Sequence, residues 1–315
     1  MRTLLRYGER WVSGGAPGVY VVRMAANGAD VAEQLARELR TAAVTIRDEY
    51  LTVTLTRDAL QHVAVDVAEA GSECVTSVAL RGTTVPAAPP ADLTAAQDWE
   101  QAREALAAEL TANLAVKAGA TLTPPVRAKQ AKQANRPTAP EADPAPTATT
   151  VREAIAYAGE DAVRFTLARA TPRSRAPDPA HIAPHVLGNP AYAVRYAHAA
   201  AAAVLRWAGS QPGEFRPGQL TEPGELANHE LTQNELTLLD ALSWLPERVA
   251  VAGRRGRPDI FARYLETLAT RTIDTMSTTG YKRVAESEKL WLATAARTGL
   301  AAGLGLLGID APDRI

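Results

Sequence analysis

The second half of this sequence is dominated by helix patterns, which constrain its fold more than any other feature. From Thr150 to the end, six segments repeat apolar residues at helical spacing, and short polar or Gly/Pro connections separate them. The segments begin VREAIAYAG, DAVRFTLARA, NPAYAVRYAHAA, LTQNELTLL, PDIFARYLETLA and VAESEKLWLATAA. The sequence therefore predicts an all-α helical bundle over residues 151–315.

Residues 1–80 predict a small α/β domain. A strand, VYVVRM, follows Gly18, and Asp30 is positioned to cap the next helix. Two alternating β-branched runs in AVTIRDEYLTVTLT predict a hairpin with a polar turn between them. A second helix over 57–70 ends at Gly71, a common stop.

The middle of the chain, residues 81–150, predicts one helix and a linker. Prolines in TTVPAAPPADLT break regular structure before a helix-favouring stretch from Gln97 to Ala118. From Gly119 the composition shifts to Pro, Ala and Thr with almost no large apolar residues, which indicates a flexible or extended linker. Lys129 and Lys132 in this linker are candidate phosphate contacts, and a solvated linker is the alternative.

The charge balance limits how the chain can bind a polyanion. Thirty-four basic and thirty-five acidic residues leave a net charge of −1, so no global field recruits nucleic acid, and any contact must come from a local patch. The cluster Arg254, Arg255 and Arg257 is one such candidate for phosphate contacts. A solvated loop between helices is the alternative.

The sequence gives no sign of secretion, membrane insertion or metal binding. Cys74 is the only cysteine, so it forms neither an internal disulfide nor a cysteine-based zinc site. The N-terminal segment has scattered charge, and the longest apolar stretches are shorter than the ~20 residues that span a bilayer. We expect a cytoplasmic protein with no membrane association.

Motifs of the common enzyme classes are missing. The sequence has no GxxxxGK[ST] loop and no GxSxG elbow. Residues 303–308 match GxGxxG formally, but a helix pattern precedes them where a dinucleotide site needs a strand. His181 and His185 are four residues apart, but Pro184 lies between them and no carboxylate is spaced to complete a metal site. We predict no cofactor, no metal and no generic catalytic centre.

Five ordered segments of the second half resemble one known family. They are EDAVRF, NPAYAVRYAHA, LLDALSWLPERV, PDIFARYLETLA and GLGLLGIDAPDRI. Together they resemble the DALR-type anticodon-binding domain of arginyl-tRNA synthetases. The segment DVAEQLARELRTAAVTIRDEYLTVTLTRDAL resembles the end of the additional N-terminal domain of these enzymes, which provides a surface for the tRNA elbow. The resemblance implies tRNA as the partner.

The resemblance also implies which residues face the anticodon. They lie on the helix that begins NPAYAVRYAHA, and they are Asn189, Tyr192, Arg195, Tyr196 and His198. The expected mechanism is stacking of an unpaired base on Tyr196, with Asn189 and Arg195 supplying hydrogen bonds. Two positions depart from the family pattern, since Ala193 replaces an aromatic residue and Ala200 replaces an arginine. The alternative is that the tyrosines and His198 pack within the bundle.

A member of this family would carry a Rossmann-type catalytic domain with HIGH and KMSKS signatures between the two matching ends. Here residues 73–150 carry neither signature, so the activity of the family, arginine–tRNA ligation, is not expected of this chain alone. The resemblance implies a non-catalytic paralogue that binds tRNA, or a tRNA-like element, in an accessory or regulatory role.

Two alternatives remain open. The bundle could be a protein-interaction module that has lost RNA binding and docks on a synthetase or another partner through the face of Ala199–Ala203. The chain could also act as an enzyme only together with a separate catalytic subunit.

Overall fold

Strands are concentrated in the first half of the chain and helices in the second half. The computed structural model describes residues 11–24, 28–38, 42–124, 150–171, 173–208, 230–278 and 290–315. The strands are β1 Val12–Ser13, β2 Val19–Arg23, β3 Ala42–Arg47, β4 Tyr50–Leu55, β5 Thr84–Pro86 and β6 Thr121–Thr123. The helices of the first half are α1 Gly28–Glu38, α2 Arg57–Ala70 and α3 Trp99–Lys117. Those of the second half are α4 Val151–Ala158, α5 Glu160–Arg169, α6 Pro179–Ile182, α7 Pro190–Trp207, α8 Gln233–Ser243, α9 Leu245–Arg255, α10 Pro258–Thr278 and α11 Leu290–Leu306.

The N-terminal sheet is antiparallel, with strand order β1-β2-β4-β3. The predicted hairpin is formed by β3 and β4, and Asp48 in its turn adopts a left-handed conformation with φ 53°. The alternation places Leu51 and Val53 of β4 in the interior, beside Tyr20 of β2. Helix α1 begins at Gly28, so Asp30 lies in its first turn instead of capping it.

Helices α2 and α3 pack against the helical bundle. The sequence groups α2 with the N-terminal domain, but its buried face contacts α8 and α11. Helix α3 packs against α9 and α5. All of them share one hydrophobic cluster, which extends from Leu60 to Ile309. The bundle therefore includes helices from both halves of the chain.

Local sequence signals explain where several bundle helices begin. Thr150 and Thr232 each form a capping box with the glutamate three residues later, which satisfies backbone amides at the starts of α4 and α8. Helix α7 crosses both α10 and α11, and its alanines allow close approach of the backbones. The all-helical second half and the small sheet of the first half confirm the predicted fold class.

The sheet is attached to the bundle through the junction of α8 and α9. Asp240 accepts a hydrogen bond from the Gly18 amide at 2.9 Å, and burial raises the pKa of this carboxyl. Since the Ser243 hydroxyl donates to the Asp240 carbonyl, the Tyr20 hydroxyl donates to Ser243 Oγ at 2.7 Å. The ring of Tyr20 also packs on Trp244, with centroids 5.2 Å apart.

The middle of the chain contains a short pair of strands that the sequence did not predict. β5 and β6 pair in parallel, although β5 lies in the proline-rich stretch and β6 in the predicted linker. Lys129 and Lys132 lie outside the residues that the structure describes.

The GxGxxG string lies at the end of α11, and its first and last glycines allow close packing. A Cβ at Gly303 would lie 2.4 Å from Leu265 Cδ2, and one at Gly308 would lie 2.7 Å from Arg164 Nε. Gly308 also has a positive φ of 68°, which a side chain would disfavour. Over the described part of the chain, no helix is both long and apolar enough to cross a membrane.

Candidate nucleic-acid interface

Helix α7 is fixed at its start by Asn189, the first of the predicted contact residues. The Asn189 Oδ1 atom accepts from the Ala191 amide at 3.1 Å, which caps the helix. Its Nδ2 donates to the carbonyls of Ile182 and Pro184 at 2.8 and 2.9 Å. The side chain is buried, and these three bonds hold the loop before α7 in place. In this structure Asn189 therefore orients the site from within the protein.

Three aromatic rings form a continuous stack that runs from the loop before α7 onto the first turns of α7. His185 lies over Tyr192 with ring centroids 5.3 Å apart and an interplanar angle of 11°. Tyr192 lies over Tyr196 with centroids 5.7 Å apart and an angle of 28°. The spacing of the two tyrosines, i and i+4, brings them onto one helix face. His185 is exposed and both tyrosines are partly exposed, so the ring stack is accessible to solvent.

A cavity of about 240 Å³ adjoins the ring stack. Its wall includes Tyr192, His185 and two basic side chains, Arg195 and Arg314. Arg195 Nη2 lies 3.4 Å from Asp161 Oδ2, and the Arg195 Nε is buried without a hydrogen-bond partner in the described structure. Arg195 is partly exposed and lines the cavity, so its guanidinium places positive charge beside the ring stack.

The C-terminal segment 307–315 closes one side of this cavity and is held by basic residues. Arg164 Nε donates to the Leu307 carbonyl at 2.6 Å, and Arg206 Nη1 donates to the Asp313 carbonyl at 2.7 Å. Arg297 binds both carboxylate oxygens of Asp313 at 3.0 and 3.1 Å, which lowers the pKa of that carboxyl. These bonds set the position of Arg314 at the cavity wall.

His198, another predicted contact residue, is buried beneath this segment. Its Nδ1 lies 3.0 Å from the Pro312 carbonyl. Because a carbonyl only accepts, Nδ1 carries the proton, and the second nitrogen lies 4.0 Å from Asp313 Oδ1. Burial is the main cause of a lowered pKa, so the ring is neutral near pH 7. His198 therefore anchors the C-terminal segment from the interior.

The predicted arginine cluster lies apart from the ring stack. Arg254 and Arg255 occupy the last turn of α9, where cations favour the helix dipole. Arg257 is exposed and makes two hydrogen bonds with Asp259, at 2.6 and 2.8 Å. None of these residues lines the cavity beside Tyr192. Their role in phosphate binding stays a prediction.

The alanine face of α7 is used inside the bundle. Residues Ala199, Ala200, Ala201 and Ala202 are all buried, with at most 8% of their surface exposed. Since α10 and α11 already pack against α7, Ala199–Ala202 do not form an open docking surface for a partner, whereas Ala203 is partly exposed. Ala193 is partly exposed, whereas Ala200 is interior.

Sequence patterns could identify only part of this site. The i, i+4 spacing of Tyr192 and Tyr196 predicts a shared face, and Asn189 before Pro190 predicts a cap. His185 and Arg314 reach the same surface from a loop and from the chain's last residues, and no periodicity links them to α7. Tertiary structure alone brings them together.

Comparison with known proteins relates about half of the chain to one family. Residues 194–315 match the family model described as the DALR anticodon binding domain. Arginine–tRNA ligase of Kineococcus radiotolerans is 35% identical over 187 residues, which cover 54% of this chain and 31% of that ligase. The arginine–tRNA ligase of Micrococcus luteus is 33% identical over 185 residues, covering 52% of this chain and 31% of that ligase.

A solved arginyl-tRNA synthetase from Thermus thermophilus aligns with a TM-score of 0.39 and 20% identity, over 99% of this chain and 57% of that chain. The match to each of the two ligases spans less than a third of that ligase's length. The sequence matches relate this chain to the arginyl-tRNA synthetase family over about half of its residues, through an anticodon-binding domain of the DALR type.

Proposed function

We propose that this chain binds tRNA, or a tRNA-like RNA, through the ring stack and the adjoining cavity, in an accessory or regulatory role in the cytoplasm. The observation that carries the proposal is the solvent-accessible stack of His185, Tyr192 and Tyr196 at the start of the helix where the DALR match begins. An unpaired base can extend this stack, since every base has a π-face.

The cations beside the stack suit the backbone of the same RNA. The partly exposed Arg195 and the exposed Arg314 both line the cavity. A guanidinium can give two hydrogen bonds to one phosphate. The base would therefore stack on the rings while a neighbouring phosphate contacts the arginines. Asn189 and His198 support this surface from inside through their contacts with protein carbonyls.

An electrophoretic shift with total tRNA at low salt tests the proposal. We expect a shift by the wild-type chain, and an affinity loss of roughly 5- to 150-fold in Tyr196→Ala, because one stacked base contributes about 1–3 kcal/mol. Tyr192→Ala removes the centre of the stack and should lose at least as much.

Trp207→Ala is the matched control. Trp207 is an aromatic side chain at the far end of the same helix and is 62% exposed. The control should bind tRNA like the wild type. Absence of a shift, or equal binding by Tyr196→Ala and the wild type, would refute the proposal.

The non-catalytic part of the proposal has its own test. Among the described residues, the larger sheet is antiparallel and four-stranded, so it differs from the parallel sheet of a Rossmann-type catalytic domain. We expect the purified chain to give no arginine-dependent ATP–pyrophosphate exchange. Exchange above background would assign it an enzymatic role.

A protein-docking role for the same surface is the second candidate. Val186 and Leu187 follow His185 in the loop before α7 and are 55% and 54% exposed. Adjacent exposed aliphatic side chains are typical of contact surfaces. If this candidate is correct, the chain pulls down a partner from ribonuclease-treated lysate, and Val186→Asp with Leu187→Asp abolishes that pull-down.

A further inference from the structure

A second cavity, separate from the ring stack, is lined by four arginines. It lies where the end of α5 and the loop after it meet the start of α3, and its volume is about 150 Å³. Its basic residues are Arg103, Arg169, Arg175 and Arg263, and among the described residues no carboxylate lines it. We call this site the arginine cavity.

Nearby acidic groups cancel only part of this charge. Glu266 is paired with Arg169 Nε. Glu100 is mostly exposed, and its Oε1 lies 4.0 Å from Arg103 Nη2, so this pair is weak. Arg175 and Arg263 are exposed and have no carboxylate within ion-pair distance in the part of the chain that the structure describes. The cavity therefore keeps a net positive charge.

The wall of the cavity is held in place before any ligand binds. Arg103 Nη1 donates to the Ser174 carbonyl at 3.0 Å, which ties the loop to α3. Ser174 in turn accepts from the Thr171 amide at 2.9 Å through its hydroxyl, and its own amide donates to the Thr171 carbonyl at 2.9 Å. The loop that carries Arg175 is thus fixed beside the other arginines, which lowers the entropy lost on binding an anion.

The size of the cavity decides which anion fits. Sites for drug-sized organic ligands are roughly 300–1,000 Å³, so about 150 Å³ is too small for a whole cofactor. It is large enough for a phosphate group, whose oxygens match the forked donors of guanidinium groups. Trp99 lines the same cavity and presents an aromatic surface for a base attached to that phosphate.

We propose that the arginine cavity binds the phosphate group of a nucleotide or of an RNA strand. This site goes beyond the ring stack, because none of its residues belongs to that stack. The two cavities contact opposite ends of α5, at Ala162 and Ala170, roughly 12 Å apart along the helix. One RNA strand could therefore reach both.

Isothermal titration calorimetry with inorganic pyrophosphate tests the site. We expect the wild type to bind and the double variant Arg175→Gln/Arg263→Gln to lose at least about tenfold in affinity, because it removes two charge-assisted donors. Both residues are exposed, so the variant should keep its fold, which circular dichroism checks. Arg173→Gln is the matched control: Arg173 is exposed in the same loop but does not line the cavity, and its variant should bind like the wild type.

A second titration separates the two sources of phosphate. If AMP binds as tightly as a short single-stranded oligoribonucleotide, the ligand is a free nucleotide; if affinity increases with strand length, it is RNA. Tyr196→Ala should leave pyrophosphate binding unchanged, so failure of the ring stack as an RNA site would not affect this result. No pyrophosphate binding by the wild type, or equal binding by the double variant, would overturn the proposal.

Discussion

At the scale of single residues, buried ionisable groups hold the C-terminal segment against the bundle. His198 is neutral in the folded protein because burial lowers its pKa below the ordinary value of 6.5. Two charged groups face His198: Arg297 lowers its pKa further, and Asp313 raises it. Below pH 6.5, His198 is protonated in the unfolded chain, whereas in the folded chain it stays neutral to a lower pH.

We therefore expect His198 to make stability fall on acidification. Since its folded pKa is lowered, its contribution is complete above pH 6.5 and is lost progressively as the pH falls below that value. Thermal unfolding followed by circular dichroism between pH 7.5 and 5 should show a falling midpoint. In His198→Asn, which keeps a donor near the Pro312 carbonyl, the midpoint should depend less on pH. An equal slope in both proteins would contradict this role.

Glu109 and Arg164 form a buried ion pair that links α3, α5 and the C-terminal segment. Arg164 donates to Glu109 Oε1 and to the Leu307 carbonyl, and Glu109 Oε2 accepts from the Ala91 amide at 2.7 Å. Removing one member leaves the other charge buried without its partner, which destabilises a protein by about 3–5 kcal/mol.

Glu109→Gln should therefore lower the free energy of unfolding by on the order of 3 kcal/mol in urea denaturation. Glu104→Gln is the matched control, because Glu104 lies on the same helix and is exposed. The control should change stability by less than about 0.5 kcal/mol. Similar stabilities for the two variants would mean that the pair contributes little.

At the scale of elements, local signals predict helices better than they predict helix partners. The bounds of α2 match the sequence prediction of 57–70, because Thr56 caps its start and Gly71 ends it. The sequence could not assign α2 to the bundle, since Leu60 and Val67 indicate an apolar face without indicating what covers it. The parallel pairing of β5 with β6 was missed for a related reason, because its partners are far apart in sequence.

The contact between α3 and α9 depends on a glycine. A Cβ at Gly253 would lie 2.8 Å from both the Cα and the N of Ala115, which are backbone atoms that no side-chain rotation can move. Gly253→Ala should therefore push α9 away from α3 and destabilise the protein by about 1–3 kcal/mol.

Gly305→Ala is the matched control for this change. It also replaces a glycine in a helix, and its Cβ would meet nothing within 4 Å. Because alanine favours helix more than glycine by about 1 kcal/mol, the control should be neutral or stabilising. Urea denaturation gives the free energy of unfolding of both variants. An unchanged free energy of unfolding in Gly253→Ala would mean that α3 can move relative to α9 without cost, which would contradict this prediction.

At the scale of the whole molecule, the overall charge balance limits how RNA can be bound. The chain carries a net charge of −1, and the second half has nineteen basic and eighteen acidic residues, so no broad basic face follows from composition. Arg195 and Arg314 lie beside the ring stack, and Arg175 and Arg263 lie exposed at the arginine cavity. Recognition by such a molecule should depend on stacking more than on counterion release.

The salt dependence of tRNA binding measures this balance. Four phosphate contacts, at about 0.7 counterions each for single-stranded RNA, give an expected slope of log K against log[KCl] of about −3. If one RNA strand contacts both cavities, Arg175→Gln/Arg263→Gln should reduce the slope to about −1.5, because two phosphate contacts are lost. Tyr196→Ala should instead weaken binding at every salt concentration and keep the slope near −3. Fluorescence anisotropy with labelled tRNA between 50 and 200 mM KCl gives both quantities. A slope steeper than about −5 in the wild type would require a basic surface beyond these four arginines. If the double variant has the wild-type slope, the arginine cavity does not contact the bound RNA.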